Sequence, residues 1–323
     1  MAMLLLFGMP RSGTTWIGKI FDSHPDVLYR HEPDSVSPLD SMPLIVSRDR
    51  ADQFQEYVLE FARRIPAMRH EKVSASMPFF RKSYLNKLEY LLYVNSSLLA
   101  KAVEKFTGHA LLRPLVTYSG AANPIVVWKS IESLGRIGCL NQIIPDSKAI
   151  ALLRHPCGHV SSVLDGERQG AFDAPDSVAK DLSLFEMLLA ASPLSCFRID
   201  DVRKMTAVER IALRWVLINE SALNDIQNDT NAMVVRYEDI CEEPLQQSAR
   251  MFTFAGLALG EQTEAFIEAS TSGSNESYYS VVKNPLESAN KWRKKLSAMQ
   301  IAEVNGIVSR SELAQRYYPP AAA

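Results

Sequence analysis

The sequence predicts an α/β fold: a mostly parallel sheet flanked by helices and built around a phosphate loop. Three observations predict it. Short apolar runs alternate with longer segments of helical periodicity. One run, Ile150-Ala151-Leu152-Leu153, has no polar alternation, and the first run opens directly into a glycine-bearing turn. Alternation of this kind marks strands joined by helical crossovers, and an unbroken apolar strand is one buried on both faces.

The first predicted strand is Met3–Phe7, followed by a turn and a helix over Thr14–Ser23 whose Ile17, Ile20 and Phe21 share one face. Further strands are predicted at Ile125–Lys129, Ala149–Leu153 and Ala232–Tyr237. Helices are predicted at Gln53–Arg64, Tyr84–Phe106, His159–Gly166, Val208–Ile226 and Pro244–Ala255. In Val208–Ile226 the apolar residues Ile211, Leu213, Trp215, Val216, Ile218 and Leu223 roughly follow the helical repeat. The stretches around 34–52, 66–83 and 167–180 are rich in Pro, Ser, Asp and Arg and read as loops laid over a site. One domain over residues 1–318 with a short tail at 319–323 accounts for the pattern, and there is no internal repeat.

Composition narrows the function classes. The 323 residues carry 35 Lys or Arg against 37 Asp or Glu, a net charge of −2, which argues against a nucleic-acid binder working by bulk electrostatics. Cys139, Cys157, Cys196 and Cys241 form no CxxC pair and read as reduced thiols of a cytoplasmic protein. The five apolar residues Met3–Phe7 are too few for a signal-peptide core or a membrane span, and no later run is long enough for a membrane anchor.

The segment Gly8-Met9-Pro10-Arg11-Ser12-Gly13-Thr14-Thr15-Trp16 carries the chemistry. A glycine turn at a helix N-terminus points backbone N–H groups at a common centre and, with the helix dipole, makes an anion site. Gly13 permits close backbone approach, the Thr14 and Thr15 hydroxyls can add donors to phosphate oxygens, and Ser12 belongs with them among the expected cofactor-binding residues. The spacing approaches GxxxxGK[ST], yet Thr14 stands where that motif has lysine, and the cation sits inside the loop as Arg11. That departure counts against a kinase or nucleoside triphosphatase.

Pro10-Arg11-Ser12-Gly13-Thr14-Thr15-Trp16 resembles the 5′-phosphosulfate loop of sulfotransferases that use 3′-phosphoadenosine 5′-phosphosulfate (PAPS). Cytosolic members carry a similar string with lysine, whereas the Golgi-type carbohydrate and tyrosylprotein enzymes carry arginine. The likeness continues through Phe21-Asp22-Ser23-His24-Pro25-Asp26-Val27 to His31-Glu32-Pro33, similar to the carbohydrate enzymes. It implies a sulfotransferase-like fold, PAPS as the sulfuryl donor, and Trp16 at the adenine. Residues 34–124 match no motif and are expected to form much of the acceptor side.

The predicted strand Ala149–Leu153 ends at Arg154-His155-Pro156, with Ser162 eight residues beyond Arg154. A strand-end arginine and a hydroxyl on the next helix can grip one phosphate from two sides. In the family this pattern holds the 3′-phosphate, although its middle residue there is Asp or Asn rather than His155. The resemblance places Tyr237, in Tyr237-Glu238-Asp239, against the nucleotide and gives Glu238 and Asp239 structural work. It assigns Lys291, before Trp292, to the 3′-phosphate side and Ser277 to the transfer centre.

Sulfuryl transfer is mainly positioning and charge stabilisation, with a base for the acceptor hydroxyl. Glu32 lies 21 residues after Arg11, the offset of the tyrosylprotein enzymes' catalytic glutamate. Lys129, 25 residues before Arg154, resembles their catalytic lysine. Glu32 is thus the expected base, with Lys129 and Arg11 neutralising the leaving phosphate. His31 is the rival base, its ring expected to point away because neighbours on an extended segment alternate. Ile131 occupies the position of the cytosolic enzymes' histidine. No metal-ligand spacing is present and none is required. The expected reaction is O-sulfation of a saccharide or small metabolite. The alternatives are a P-loop kinase or nucleoside triphosphatase, and a non-catalytic module binding 3′-phosphoadenosine 5′-phosphate (PAP).

Overall fold

The computed structural model describes residues 1–115, 123–168, 178–192, 196–272 and 285–319. Five strands form one sheet: β1 (Met3–Gly8), β2 (Val27–His31), β3 (Ile125–Ser130), β4 (Ser147–Leu153) and β5 (Ala232–Arg236). Their order is β2-β3-β1-β4-β5, and every pairing is parallel. Parallel neighbours require crossovers, so helices cover both faces. β1 is central and buried along its whole length.

The two faces divide the core by the strand period of two. Leu5, Phe7, Trp128, Ala149 and Ala151 pack with the helices Ile137–Ile143, Pro156–Arg168 and Ala207–Ile226. Leu4, Leu6, Val127, Ile150 and Leu152 pack with the helices Thr14–Asp22, Pro244–Ala255 and Glu261–Thr271. The apolar runs looked unbroken because both faces are covered.

β2 had no counterpart among the predicted strands. Arg30 sits in its middle, and its guanidinium is buried by donating from Nε to the Ile65 carbonyl at 3.2 Å. Tyr237 does not end the last strand as predicted: β5 stops at Arg236, and Tyr237 opens the helix Tyr237–Glu242. The helix predicted from Tyr84 begins at Lys87, because Asn86 and Glu89 form a reciprocal capping box there. Helices Leu182–Ala191, Glu261–Thr271 and Ala298–Val308 were also unforeseen.

In-register parallel pairing gathers the strand ends. His31 pairs with Lys129, Lys129 with Leu6, and Gly8 with Leu152, so four carboxyl ends form one edge. In open α/β sheets the crevice beyond that edge is where ligands bind.

Candidate active site at the carboxyl edge of the sheet

The phosphate loop begins where β1 ends. Gly8 is required because a Cβ there would lie 2.5 Å from Ser12 Oγ and 2.9 Å from the Leu152 carbonyl. Gly13 has φ 93°, and a Cβ on it would lie 2.4 Å from the Tyr237 ring. The Ser12 amide and hydroxyl both donate to the Met9 carbonyl, at 3.1 and 2.7 Å. Ser12 is therefore a brace within the loop. Thr14 is buried against Gly8, whereas Thr15 is exposed at the helix start. The helix Thr14–Asp22 opens directly from this loop, and a helix N-terminus is an anion site.

Arg11 has φ 70° and Glu32 φ 49°. Among the described residues the only other non-glycine with positive φ is Asp146. Such conformations are costly for residues with side chains and persist where the surroundings enforce them.

Arg11, Arg154, Ser162 and Tyr237 converge on the loop. Arg11 Nε donates to Ser162 Oγ at 3.2 Å. Arg154 donates to the Arg11 carbonyl at 2.6 Å and the Ser288 carbonyl at 3.1 Å, and its guanidinium lies 5.1 Å over the Tyr237 ring. Trp16 meets Tyr237 edge-on at 6.2 Å and donates from Nε1 to Ser270 Oγ at 3.0 Å, so its indole is fixed within the packed helix pair. His155 Nδ1 accepts from the Cys157 amide and caps the next helix. Its ring stacks on Trp292 at 4.6 Å. Lys291, beside Trp292, is exposed. Ser277 lies outside the described residues. Glu238 is structural: its carboxylate accepts from the His155 amide and the Tyr318 hydroxyl.

At the other end of the edge, Lys129 Nζ pairs with Glu32 Oε1, both groups being buried. The Glu32 amide donates to the Lys129 carbonyl at 2.8 Å, fixing the two backbones together. Lys72 Nζ stands 3.5 Å from Glu32 Oε2 and is half exposed. Burial pushes the Glu32 carboxyl up, but Lys129, then His31 and Lys72, outweigh it and hold the pKa at about 2. Burial also lowers the Lys129 pKa, against the pull of Glu32.

His31 does not point away from Glu32. Its Nε2 is 3.7 Å from Glu32 Oε1, because the left-handed backbone of Glu32 breaks the alternation of an extended strand. Burial, then Lys129, lowers the His31 pKa to about 3, so the ring is neutral. Burial keeps the Tyr29 phenol protonated, and its hydroxyl lies within hydrogen-bond distance of His31 Nδ1, at 2.9 Å.

Several residues of this site carried no sequence signal. Asp34 accepts from the hydroxyls of Ser130 and Ser133 and from Trp128 Nε1 at 3.3 Å, clamping Glu32-Pro33-Asp34 onto β3. Lys72 comes from the segment that matched no motif. His159 and Arg214 are a further pair beside the loop arginines: burial, then Arg214, Arg154 and Arg11, lowers the His159 pKa to about 3. Their adjacency follows from helix packing, which spacing along the chain does not encode.

The acid lability of the fold follows from these values. Glu32 has a folded pKa of about 2 against an ordinary 4.5, so its contribution is present above about pH 4.5 and lost as pH falls through 2. His31 and His159, at about 3, and His155, at about 4, are held neutral against an ordinary 6.5. Their penalty begins as pH falls below 6.5, where the unfolded chain takes up protons first. Thermal midpoints measured from pH 8 to 3 should therefore fall progressively below about pH 6.5. A flat profile down to pH 4 would contradict the burial of these rings.

The site suits a nucleotide bearing several phosphates. Arg154 Nε and Arg214 Nε are buried without a close hydrogen-bond partner among the described residues. Buried donors in that condition are costly unless a ligand meets them. The family model described as the sulfotransferase family matches residues 4–261. The chain belongs to the sulfotransferase family. Curated relatives match it locally. Carbohydrate sulfotransferase 3 of Mus musculus is 43% identical over 63 residues, covering 19% of this chain and 13% of that protein. Carbohydrate sulfotransferase 2 of Homo sapiens is 37% identical over 75 residues, covering 22% of this chain and 14% of that protein. The matched stretches thus span about one-seventh of the relatives' length. Among solved structures, the sulfotransferase domain from the curacin biosynthetic pathway is 14% identical, with a TM-score of 0.45, covering 95% of this chain and 96% of that one.

The resemblance of the strand-end motif assigns Arg154 to a 3′-phosphate, and Arg154→Ala tests that assignment. Arg154→Ala should weaken PAP binding by about 1.5–3 kcal/mol, the range for a charge-assisted hydrogen bond. Adenosine 5′-phosphosulfate, which lacks that phosphate, should lose much less. Equal losses in calorimetry would remove the assignment.

Proposed function

We propose that the protein transfers the sulfuryl group of PAPS to a hydroxyl of a saccharide or small metabolite, with Glu32 as general base. The observation carrying this reading is the buried Glu32–Lys129 pair beside the phosphate loop, on the edge where a parallel sheet presents its ligand crevice. The family match to residues 4–261 supports sulfuryl transfer, and the local likeness to carbohydrate sulfotransferases supports a hydroxylated acceptor. The four cysteines are unpaired, in keeping with a cytoplasmic protein.

PAPS, when bound, supplies the sulfuryl group to be transferred. The loop amides, Arg11 and Lys129 would hold its 5′-phosphosulfate end, and Arg154 with Ser162 its 3′-phosphate. Glu32 Oε2, the oxygen not paired with Lys129, takes the acceptor proton. His31 lies beside the same carboxylate, with Nε2 3.7 Å from Oε1. Lys129 meets negative charge that develops on the leaving phosphate, where a fixed cation is most effective. A screen of saccharides and small hydroxylated metabolites with radiolabelled PAPS tests the proposal. Label should pass to an acceptor without added metal. Turnover that consumes ATP, depends on magnesium and ignores PAPS would replace this reading with a P-loop kinase.

A further inference from the structure

The helix Lys87–Thr107 turns its apolar side outward. Its buried residues are Ser97 and Ala100. On the opposite side Leu88, Leu91, Leu92, Leu98, Leu99 and Phe106 are 43–88% exposed. At 3.6 residues per turn these six fall within about a third of the helix circumference. Just beyond the helix Leu111, Leu112 and Leu115 are exposed as well. A helix covering a water-soluble core shows the reverse arrangement, and a contiguous exposed apolar surface of this kind marks an interaction site.

Charge distinguishes the possible occupants. Lys87, Lys101 and Lys105 lie along one margin of the apolar stripe, and Arg113 is exposed beyond it. The two acids of the helix, Glu89 and Glu104, lie off the stripe, toward the protein. The Glu89 carboxylate also accepts from the Asn86 amide at 2.8 Å. We propose that this face docks on an anionic lipid surface, the helix lying flat with its leucines among the acyl chains and its lysines at the headgroups. A second copy of the chain fits less well. An antiparallel pair would set lysine margin against lysine margin. A parallel pair would offer those lysines only Glu89, already engaged by its cap. No described helix is long and apolar enough to cross a membrane, so the contact is one of lying on the bilayer.

The face is linked to the site. Tyr93 Oη donates to the Ser74 carbonyl at 2.6 Å, at the end of the short helix Glu71–Ser74 that carries Lys72 toward Glu32. The docking surface and the catalytic carboxylate are thus one short helix apart.

Co-sedimentation of the full chain with phosphatidylcholine vesicles, with and without phosphatidylglycerol, tests the proposal. The protein should pellet at least tenfold more strongly with the anionic vesicles. The exposed double variants Leu92→Glu/Leu99→Glu and Lys87→Glu/Lys105→Glu should each lose that binding at least tenfold. Both should keep wild-type PAP affinity, which reports an intact fold independently of the sulfuryl-transfer reading. Failure to pellet with either vesicle would overturn the proposal, as would equal binding to both. So would a concentration-dependent dimer in sedimentation equilibrium that Leu92→Glu/Leu99→Glu abolishes without any vesicle binding, which would assign the face to a second copy.

Discussion

Glu32→Gln should lower kcat by about 10²-fold or more, the scale of a lost general base, while leaving PAPS affinity little changed. Glutamine keeps the shape and can still accept a hydrogen bond from Lys129, but it cannot take a proton. The substitution also leaves the Lys129 ammonium buried without its counter-charge, and breaking a buried pair costs about 3–5 kcal/mol in unfavourable cases. The rate must therefore be compared at saturating PAPS and below the variant's unfolding transition. His31→Ala gives the contrast. Because His31 faces Glu32 Oε1 at 3.7 Å rather than pointing away, its loss should reduce kcat, though far less than Glu32→Gln does. A near-normal Glu32→Gln with an inactive His31→Ala would transfer the role of base to His31.

Lys129→Ala should be the most damaging single change to turnover, with a loss in kcat of about 10²–10³-fold, the range for removing one group that stabilises developing charge. PAPS affinity should change much less, since an interaction made only in the transition state leaves ground-state binding alone. The variant has a second signature. Glu32 is held at about 2 with Lys129 as its main counter-charge, while His31 and the half-exposed, more distant Lys72 contribute less. Without Lys129, burial dominates and the Glu32 pKa should rise. The acidic limb of the kcat profile should shift to higher pH in Lys129→Ala, and an unmoved limb would show that Glu32 is not the titrating base. A variant that binds PAPS poorly yet turns over normally at saturation would place Lys129 in ground-state binding instead.

The parts of this molecule legible in the sequence are those whose cause is local. β1, β3 and β4 read as strands because a strand covered on both faces is apolar throughout. The phosphate loop read as one because Gly8 and Gly13 sit where a Cβ would collide with Ser12, Leu152 or Tyr237. β2 stayed hidden because Arg30 looks like a surface residue until the Ile65 carbonyl beside its guanidinium is seen. The direction of His31 was misread because nothing in the sequence announces that Glu32 adopts a left-handed backbone. The sequence did not show that the Ser12 hydroxyl closes the loop onto Met9. The contributions of Lys72, Asp34 and Arg214 depend on which helices and strands meet, so spacing along the chain carried no trace of them.

Calorimetry of the wild-type chain with PAP and with ATP, each in metal-free and magnesium-containing buffer, tests the central claim most directly, because it needs no knowledge of the acceptor. The account predicts that PAP binds in metal-free buffer, more tightly than ATP, and that magnesium changes this little. ATP binding that appears only with magnesium, with no heat from PAP in either buffer, would contradict it.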